Sequence, residues 1–201
     1  MTARFEPTRT QIQASELEFR RMRPEDVPEI MPIESVSFGR HHWSDESFFN
    51  EMNNQVGRYY VLLHHDPALP PGEKPKLLGY CGFWLIVDEA HITTVAVHPE
   101  YRGHALGELI LYHMLERCLG SSVHWVTLEV RATNYNAQNL YYKYGFVSMG
   151  IRARYYQDNK EDALIMTTPD ISGEEQRKLH RTLKQALSKR LGGGFPKNFG
   201  L

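Results

Sequence analysis

VHPEYRGHALGELIL, residues 97–111, ends a strand, turns through Pro99 and Gly103, and enters an amphipathic helix. An ordinary helix start asks for Ser, Thr, Asp or Asn as its cap. This one offers Arg102, Gly103, His104, Ala105, Leu106 and Gly107. With so little side chain near the turn, the first N–H groups stand uncovered at the positive end of the helix dipole, where a phosphate can replace the missing cap. Arg102 at the rim adds charge-assisted hydrogen bonding, and Gly107 is expected to let the helix lie close against a sheet. A glycine-rich turn with no ligand fits the same letters, so both readings stand. No Gly-Lys-Ser/Thr follows, and the dinucleotide fingerprint with its later acidic residue is absent, which removes two common phosphate loops.

Outward from this turn the pattern alternates strands and helices. LEFRRMR at 17–23 reads as a strand, and Pro24 with Glu25 and Asp26 opens a helix carrying Val27, Ile30, Met31 and Ile33. A second helix starts at Ser44 or Asp45. RYYVLLHH at 58–65 and KLLGYCGFWLIV at 76–87 form a hairpin across a proline-laden loop, and AHITTVAVHP at 90–99 adds a third strand. The opening helix, about 103–119, then leads to the strand SVHWVTLEV and a short helix at about 134–144. Two strands joined through a helix imply a parallel pair by a right-handed crossover. FVSMGIRARYY and EDALIMTTP close the sheet as a hairpin across QDNK. The expected fold class is α/β, a mixed central sheet with helices on both faces.

The ends divide from this body. Residues 1–14 are polar and without periodicity, which predicts a flexible tail; 15–169 form the domain; 170–201 hold a basic amphipathic helix and a flexible end, GGGFPKNFGL. In that helix Leu179, Leu183, Leu187 and Leu191 stand four apart, Ser172 with Glu175 suggests a capping box, and Arg177, Lys178, Arg181, Lys184, Lys189 and Arg190 make the polar face basic. The basic face suits an acidic partner or RNA, or is solvent-facing while the leucines pack on the domain.

The chain as a whole narrows the function classes. It has 201 residues, 41% hydrophobic and 23% charged, with a formal net charge of -1, so no global attraction to DNA or an anionic membrane is expected. Cys81 and Cys118 lie far apart in apolar stretches and read as reduced, buried thiols. No apolar run reaches the ~20 residues that span a bilayer, and the first residues lack a signal-peptide pattern; a soluble, cytoplasmic protein is expected. Ten histidines include the pairs His41/His42 and His64/His65, yet no Cys or acidic cluster joins them at ligand spacing, so no metal is expected.

A second segment, TLEVRATNYNAQNLYYKYGF at 127–146, adds chemistry to the turn. In the alternating strand, Val126, Leu128 and Val130 share one face and Trp125, Thr127 and Glu129 the other, so Glu129 points away from the aliphatic side. It is either a base or the partner of Arg131 or Arg152. The order Arg102, Ala105, Gly107 resembles the acyl-CoA pyrophosphate loop Gln/Arg-x-x-Gly/Ala-x-Gly/Ala of the GCN5-related N-acetyltransferases (GNAT). LEVR-x-x-N-x-x-A-x-x-LY-x-x-x-GF and the later RARYYQDNKEDALIM resemble blocks of the bacterial ribosomal-protein-alanine N-acetyltransferases, the RimI type, as do IESVSF and HWS nearer the start. The resemblance spans roughly residues 16–168, with His42 where that family carries proline and no counterpart to the chain beyond 172.

The resemblance implies a GNAT fold, acetyl-CoA as cosubstrate and the N-terminal α-amine of a protein as acceptor, an alanine of a ribosomal protein. An α-amine has a pKa near 8 and must lose a proton before it attacks a thioester. Glu129 is then the base, and Tyr141 donates a proton to the leaving thiolate. The resemblance also places Asn134 beside the pantetheine or phosphate arm, where capping its own helix is the alternative. Backbone groups of Val95, Ala96 and Val97, on a strand splayed from its parallel neighbour, would bond the pantetheine like an added strand. Glu34, Phe38, Trp43, Ser44, Tyr155 and Tyr156 would flank the peptide groove, with core packing as the alternative for the aromatic residues. The rivals are a GNAT enzyme acting on lysine side chains or small amines, and an acyl-CoA binder without catalysis.

Overall fold

The computed structural model describes residues 12–70 and 72–200. Most of the expected N-terminal tail, residues 1–11, lies outside the described residues. Its last part is folded: Ile12 and Ala14 are buried, and the Ala14 N–H donates to Leu191 O at 3.0 Å. Two apolar side chains among polar neighbours were enough to fix a short segment that has no periodicity of its own.

Strands β1 (Leu17–Arg21), β2 (Gly57–His64), β3 (Lys76–Ile86), β4 (Glu89–Val97), β5 (Trp125–Arg131), β6 (Val147–Arg152) and β7 (Ala163–Thr167) form one sheet in the order β1-β2-β3-β4-β5-β7-β6. The β4–β5 pair is parallel and the other five are antiparallel. The helices are α1 (Val27–Phe38), α2 (Asp45–Asn53), α3 (Leu106–Leu119), α4 (Tyr135–Lys143) and α5 (Glu174–Arg190). Residues of α1 and α2 pack on one face around Ile30, Phe48 and Tyr80, while α3 packs on the other around Leu62, Leu109 and Leu128. The crossover through α3 is what the parallel pair requires. Cys81 and Cys118 are free and buried; burial pushes the Cys118 thiol up to about 12, so neither is poised as a nucleophile.

An irregularity in the middle of β4 positions the site. Phe83 pairs with Ile92 and Gly82 with Thr94, which leaves Thr93 as an extra residue. Such a bulge bends its strand and shifts which residues face which side. Before it Ile92 enters the α3-side core, and after it Ala96 enters the α1-side core. Parallel pairing with β5 ends at the same point, at Ile92 opposite Leu128. Beyond it β4 continues to Val97 and β5 to Arg131 without pairing to each other.

The last thirty residues form more structure than their composition suggested. In α5 the buried positions are Gln176, His180 and Leu187, with Leu183 packed against the core beside them and Leu191 buried just past the helix end. Lys184 pairs with Glu116 at 3.2 Å and Arg190 with Glu108 at 2.5 Å, so two of the six cations bind α3. The expected capping box is not formed: the cap is Gly173, and Ser172 instead hydrogen-bonds Asp170 Oδ1 through both its N–H and its hydroxyl. The expected flexible end is also corrected. Gly192, Gly193 and Gly194 all take positive φ and turn the chain back. Phe195 and Phe199 then stack at 4.4 Å, with Phe199 also against Phe19 and Tyr112. Lys197 exchanges backbone hydrogen bonds with Leu17 and Phe19, covering the otherwise free edge of β1.

Candidate active site

The splay of β4 and β5 opens a cleft of about 980 Å³, within the usual range for ligand sites. The turn that carries Arg102, Gly103 and Ala105 stands at one part of its lining. Gly103 has φ +86 and Ala105 φ +63, ψ 8, and α3 begins at Leu106 rather than at 103. Left-handed residues among right-handed ones curl successive N–H groups into a concave nest that takes an anion. Ala105 is the helix cap, and no side chain of its own bonds the first turn. The bareness of this turn is therefore a matter of chain handedness as well as of small side chains.

Gly107 is not needed for packing. A methyl group built there would meet only Val97 Cγ2, at 3.8 Å, an ordinary contact. Gly79, which no motif singled out, is the close approach instead: a methyl there would fall 2.6 Å from Ala96 O and 2.8 Å from Ile110 Cδ1. Gly107 lines the cleft, as do Leu106, Arg102 and Gly103. Arg102 donates through Nη2 to Ser37 Oγ at 2.9 Å and through Nε to Val97 O at 3.3 Å, tying α1 to the end of β4. His104 is not part of the lining; its Nδ1 lies 3.2 Å from Tyr101 O.

Val95, Ala96 and Val97 line the cleft along the unpaired edge of β4. Thr94 beside them is buried, and its hydroxyl has no hydrogen-bond partner among the described residues. Asn134 also reaches the lining, and its Oδ1 accepts from the Ala137 N–H at 3.2 Å, which is the capping alternative. An acyl-CoA suits this lining: a nest for its pyrophosphate and free strand edge for its pantetheine amides.

Glu129 and Tyr141 line the same cleft. Glu129 Oε1 lies 2.9 Å from Arg152 Nη1, the pairing considered as an alternative, and Oε2 lies 3.1 Å from His91 Nε2. His91 first and Arg152 after it hold the carboxyl below the ordinary Glu range, outweighing burial, which acts the other way. Arg131, the other candidate partner, instead grips Asp158 and Glu161. Burial and the neighbouring Tyr156 push the Tyr141 hydroxyl up to about 12, so at neutral pH it carries its proton. Among the described residues it has no hydrogen-bond partner, which leaves that proton free to be donated.

Glu34 lies at the cleft wall, 2% exposed, and accepts from the Trp43 N–H at 2.8 Å and from the Tyr80 hydroxyl. Burial pushes it up to about 7. It therefore anchors the connection between α1 and α2 as well as facing the cleft. Phe38 and Trp43 line the cleft and also pack on the α1-side core. Ser44 is not in the lining; it is the cap of α2, accepting from the Ser47 N–H at 3.2 Å. Tyr155 and Tyr156 line the cleft from a loop, because β6 ends at Arg152 and the expected strand through RARYY stops there. Arg131 sits over the Tyr156 ring at 3.8 Å, and the Asp158 N–H donates to His41 Nε2 at 2.5 Å, joining this loop to the α1–α2 connection.

His91 is the residue the motifs missed. It lines the cleft, contacts Glu129, and places Nδ1 2.9 Å from Thr127 Oγ1. Among the described residues no group of three or more His, Cys, Asp or Glu could hold a metal ion, and no helix is long and apolar enough to cross a membrane.

The profile of the acetyltransferase (GNAT) family matches residues 27–146. A relative in Bacillus subtilis (strain 168) is 41% identical over 147 residues, covering 73% of this chain and 91% of its own. The [ribosomal protein bS18]-alanine N-acetyltransferase of Escherichia coli (strain K12) is 33% identical over 148 residues, 72% of this chain and 91% of its own. The crystal structure of the ribosomal-protein-S18-alanine N-acetyltransferase from Escherichia coli superposes with a TM-score of 0.65 at 28% identity, over 79% of this chain and 97% of that one. With a family profile across its central 120 residues and relatives matched over nearly their whole length, the chain belongs to the GNAT acetyltransferase family.

Proposed function

We propose that this protein is an acetyl-CoA-dependent N-acetyltransferase that acts on the N-terminal alanine of a ribosomal protein. The observation that carries the reading is the cleft at the β4–β5 splay, where the phosphate nest, the unpaired strand edge, Glu129 and Tyr141 lie in one lining. Its similarity to the Escherichia coli enzyme, named for the alanine of bS18, supports the choice of acceptor. Acetyl-CoA supplies an activated acetyl thioester. Gly103, Ala105, Gly107 and Arg102 hold its phosphates, Val95, Ala96 and Val97 its pantetheine arm, with Asn134 beside it. Glu129 takes the proton that frees the α-amine to attack. Tyr141 returns a proton to the departing thiolate.

Phe38, Trp43, Tyr155 and Tyr156 form an aromatic rim that suits a flexible peptide end entering between the α1–α2 connection and the β6–β7 loop. Glu34 holds one side of that entrance in place. A cytoplasmic setting, where ribosomal proteins are made, fits two unpaired buried thiols.

The test uses mass spectrometry of short peptides with acetyl-CoA. Peptides beginning with Ala should gain one acetyl group on the α-amine, and the same peptides blocked at the N-terminus but bearing lysine should gain none. Acetylation confined to lysine or to small amines would overturn the acceptor, and absence of turnover with every amine would leave only a binder.

A further inference from the structure

The parallel register makes Thr127 the partner of His91, so both side chains leave the same face of the sheet, and Glu129 follows two residues along β5. His91 Nε2 lies 3.1 Å from Glu129 Oε2, and Nδ1 lies 2.9 Å from Thr127 Oγ1. The Thr127 hydroxyl in turn donates to Glu89 Oε1 at 2.6 Å. A threonine has one hydroxyl proton and a carboxylate only accepts, so that proton is committed to Glu89. Thr127 Oγ1 must then accept from His91, which fixes a proton on Nδ1. With that proton on Nδ1, the 3.1 Å contact of Nε2 with Glu129 Oε2 is a hydrogen bond when one further proton lies between them, the loaded form of the pair. Without it, neutral His91 turns the Nε2 lone pair toward Glu129 and the pair can accept one.

This arrangement answers a mismatch in the proposed chemistry. A carboxylate alone is a weak base toward an amine whose pKa is near 8, and a second acceptor in contact with it gives the proton a further place to go. We infer that His91 receives at Nε2 the proton that Glu129 takes from the acceptor ammonium, and that Thr127 and Glu89 hold its ring in the accepting tautomer. The inference rests on the reading of Glu129 as the base. An ammonium N–H bond breaks, its electron pair stays on nitrogen, and the proton passes to Glu129 Oε2 and on to His91 Nε2. Glu129 is thereby restored as a carboxylate, and water in the open cleft later takes the proton from Nε2. His91 acts through Glu129 and is a positioning residue that also stores a proton, in the manner of an imidazole oriented by an acid behind it.

The groups around the pair are few. Arg152 holds the other oxygen of Glu129 at 2.9 Å, and Tyr156 lies near enough to feel the Glu129 charge. The Trp84 ring is 5.8 Å from the His91 ring, with Glu51 behind it accepting from Trp84 Nε1 at 2.7 Å. Glu89, exposed at the start of β4, reaches His91 only through Thr127.

Two measurements decide the matter. In the full-length protein, nitrogen-15 NMR of His91 in the neutral form should give the Nδ1–H tautomer; the Nε2–H tautomer would overturn the inference whatever the enzyme acetylates. In kinetics with a peptide the wild type acetylates, His91→Ala should lower kcat about tenfold or more, with both KM values nearly unchanged, and added imidazole should restore part of it. His91→Gln, which can still hydrogen-bond Glu129 but cannot accept a proton, should stay as slow as His91→Ala. Wild-type kcat in His91→Gln would reduce His91 to a spacer and overturn the inference. A wild type inactive on every N-terminal peptide would instead defeat the proposed function, with the tautomer still decided by NMR.

Discussion

Arg152 Nη1 lies 2.9 Å from Glu129 Oε1 although β7 runs between the strands that carry them. The arginine comes from the last residue of β6 and crosses its neighbour to reach a carboxylate on β5. Its charge joins His91 in holding Glu129 low. Removing it in Arg152→Ala should raise the Glu129 pKa, so the acid limb of the kcat profile moves to higher pH while the neutral-pH rate changes little. The pair is partly exposed, so the shift should shrink as salt is added. Initial rates across pH at two ionic strengths check this, and an unmoved acid limb would separate Arg152 from the group that sets it.

Glu129→Gln keeps the shape of the side chain and removes the carboxylate proposed as the proton acceptor. It should lower kcat by about a hundredfold or more, the usual scale for a lost general base, with acetyl-CoA binding retained by calorimetry. Tyr141→Phe removes a hydroxyl that has no other bond to make, so folding should be undisturbed. Its kcat should fall by about tenfold or more, most strongly where thiolate departure limits the rate. Full turnover in both variants would sink the assigned roles.

Ala105 holds φ +63, a conformation that costs an L-residue with a Cβ about 1–2 kcal/mol. Glycine takes it without that cost but loses more chain entropy on folding, which returns part of the gain. Ala105→Gly should therefore stabilise the protein by about 0.5–1 kcal/mol in urea unfolding. Affinity for CoA should hold or improve, because the nest stays in place. A clear loss of stability would mean that the methyl group packs against the α3-side core more than the strain costs.

The fold was legible because its signals are local. The strand ending at Val97, the bare helix start and the alternation of Val126, Leu128 and Val130 each sit within a few residues, and the structure keeps all three. The partners of Glu129 were only half legible. Arg152 could be named because it is a cation on a nearby strand, but His91 enters through the parallel register, which no local pattern encodes. Gly192, Gly193 and Gly194 read as part of a flexible end because glycine signals freedom; only the stacking of Phe195 on Phe199 shows that the freedom is used to turn. Ser44 and His104 fell inside matched blocks, yet one caps a helix and the other bonds its own turn. Block membership places a residue along the chain, and side-chain direction still has to come from the fold.

The end of the chain offers a pH test of that packing. His113 on α3 is fully buried, stacks on Phe19 at 3.9 Å, and accepts the Gly200 N–H through Nδ1 at 3.0 Å. Its Nε2 is buried without a partner among the described residues. Burial, with Arg117 nearby, pushes its pKa down to about 3. The unfolded chain takes up this proton below about 6.5 and the folded protein does not. The stability contributed by the neutral ring is therefore complete above about 6.5 and is lost as pH falls toward 3. Glu34, raised to about 7, acts in the opposite sense, its contribution being lost as pH rises from the ordinary Glu value to about 7. Comparison with His113→Gln isolates the histidine, since Gln can still accept the Gly200 N–H and carries no titrating group. Between about pH 7.5 and about pH 4.5 the wild type should lose about 2–3 kcal/mol relative to this variant in urea unfolding. Parallel stability curves for the two proteins would mean that the chain end opens and admits water to His113 before the domain unfolds.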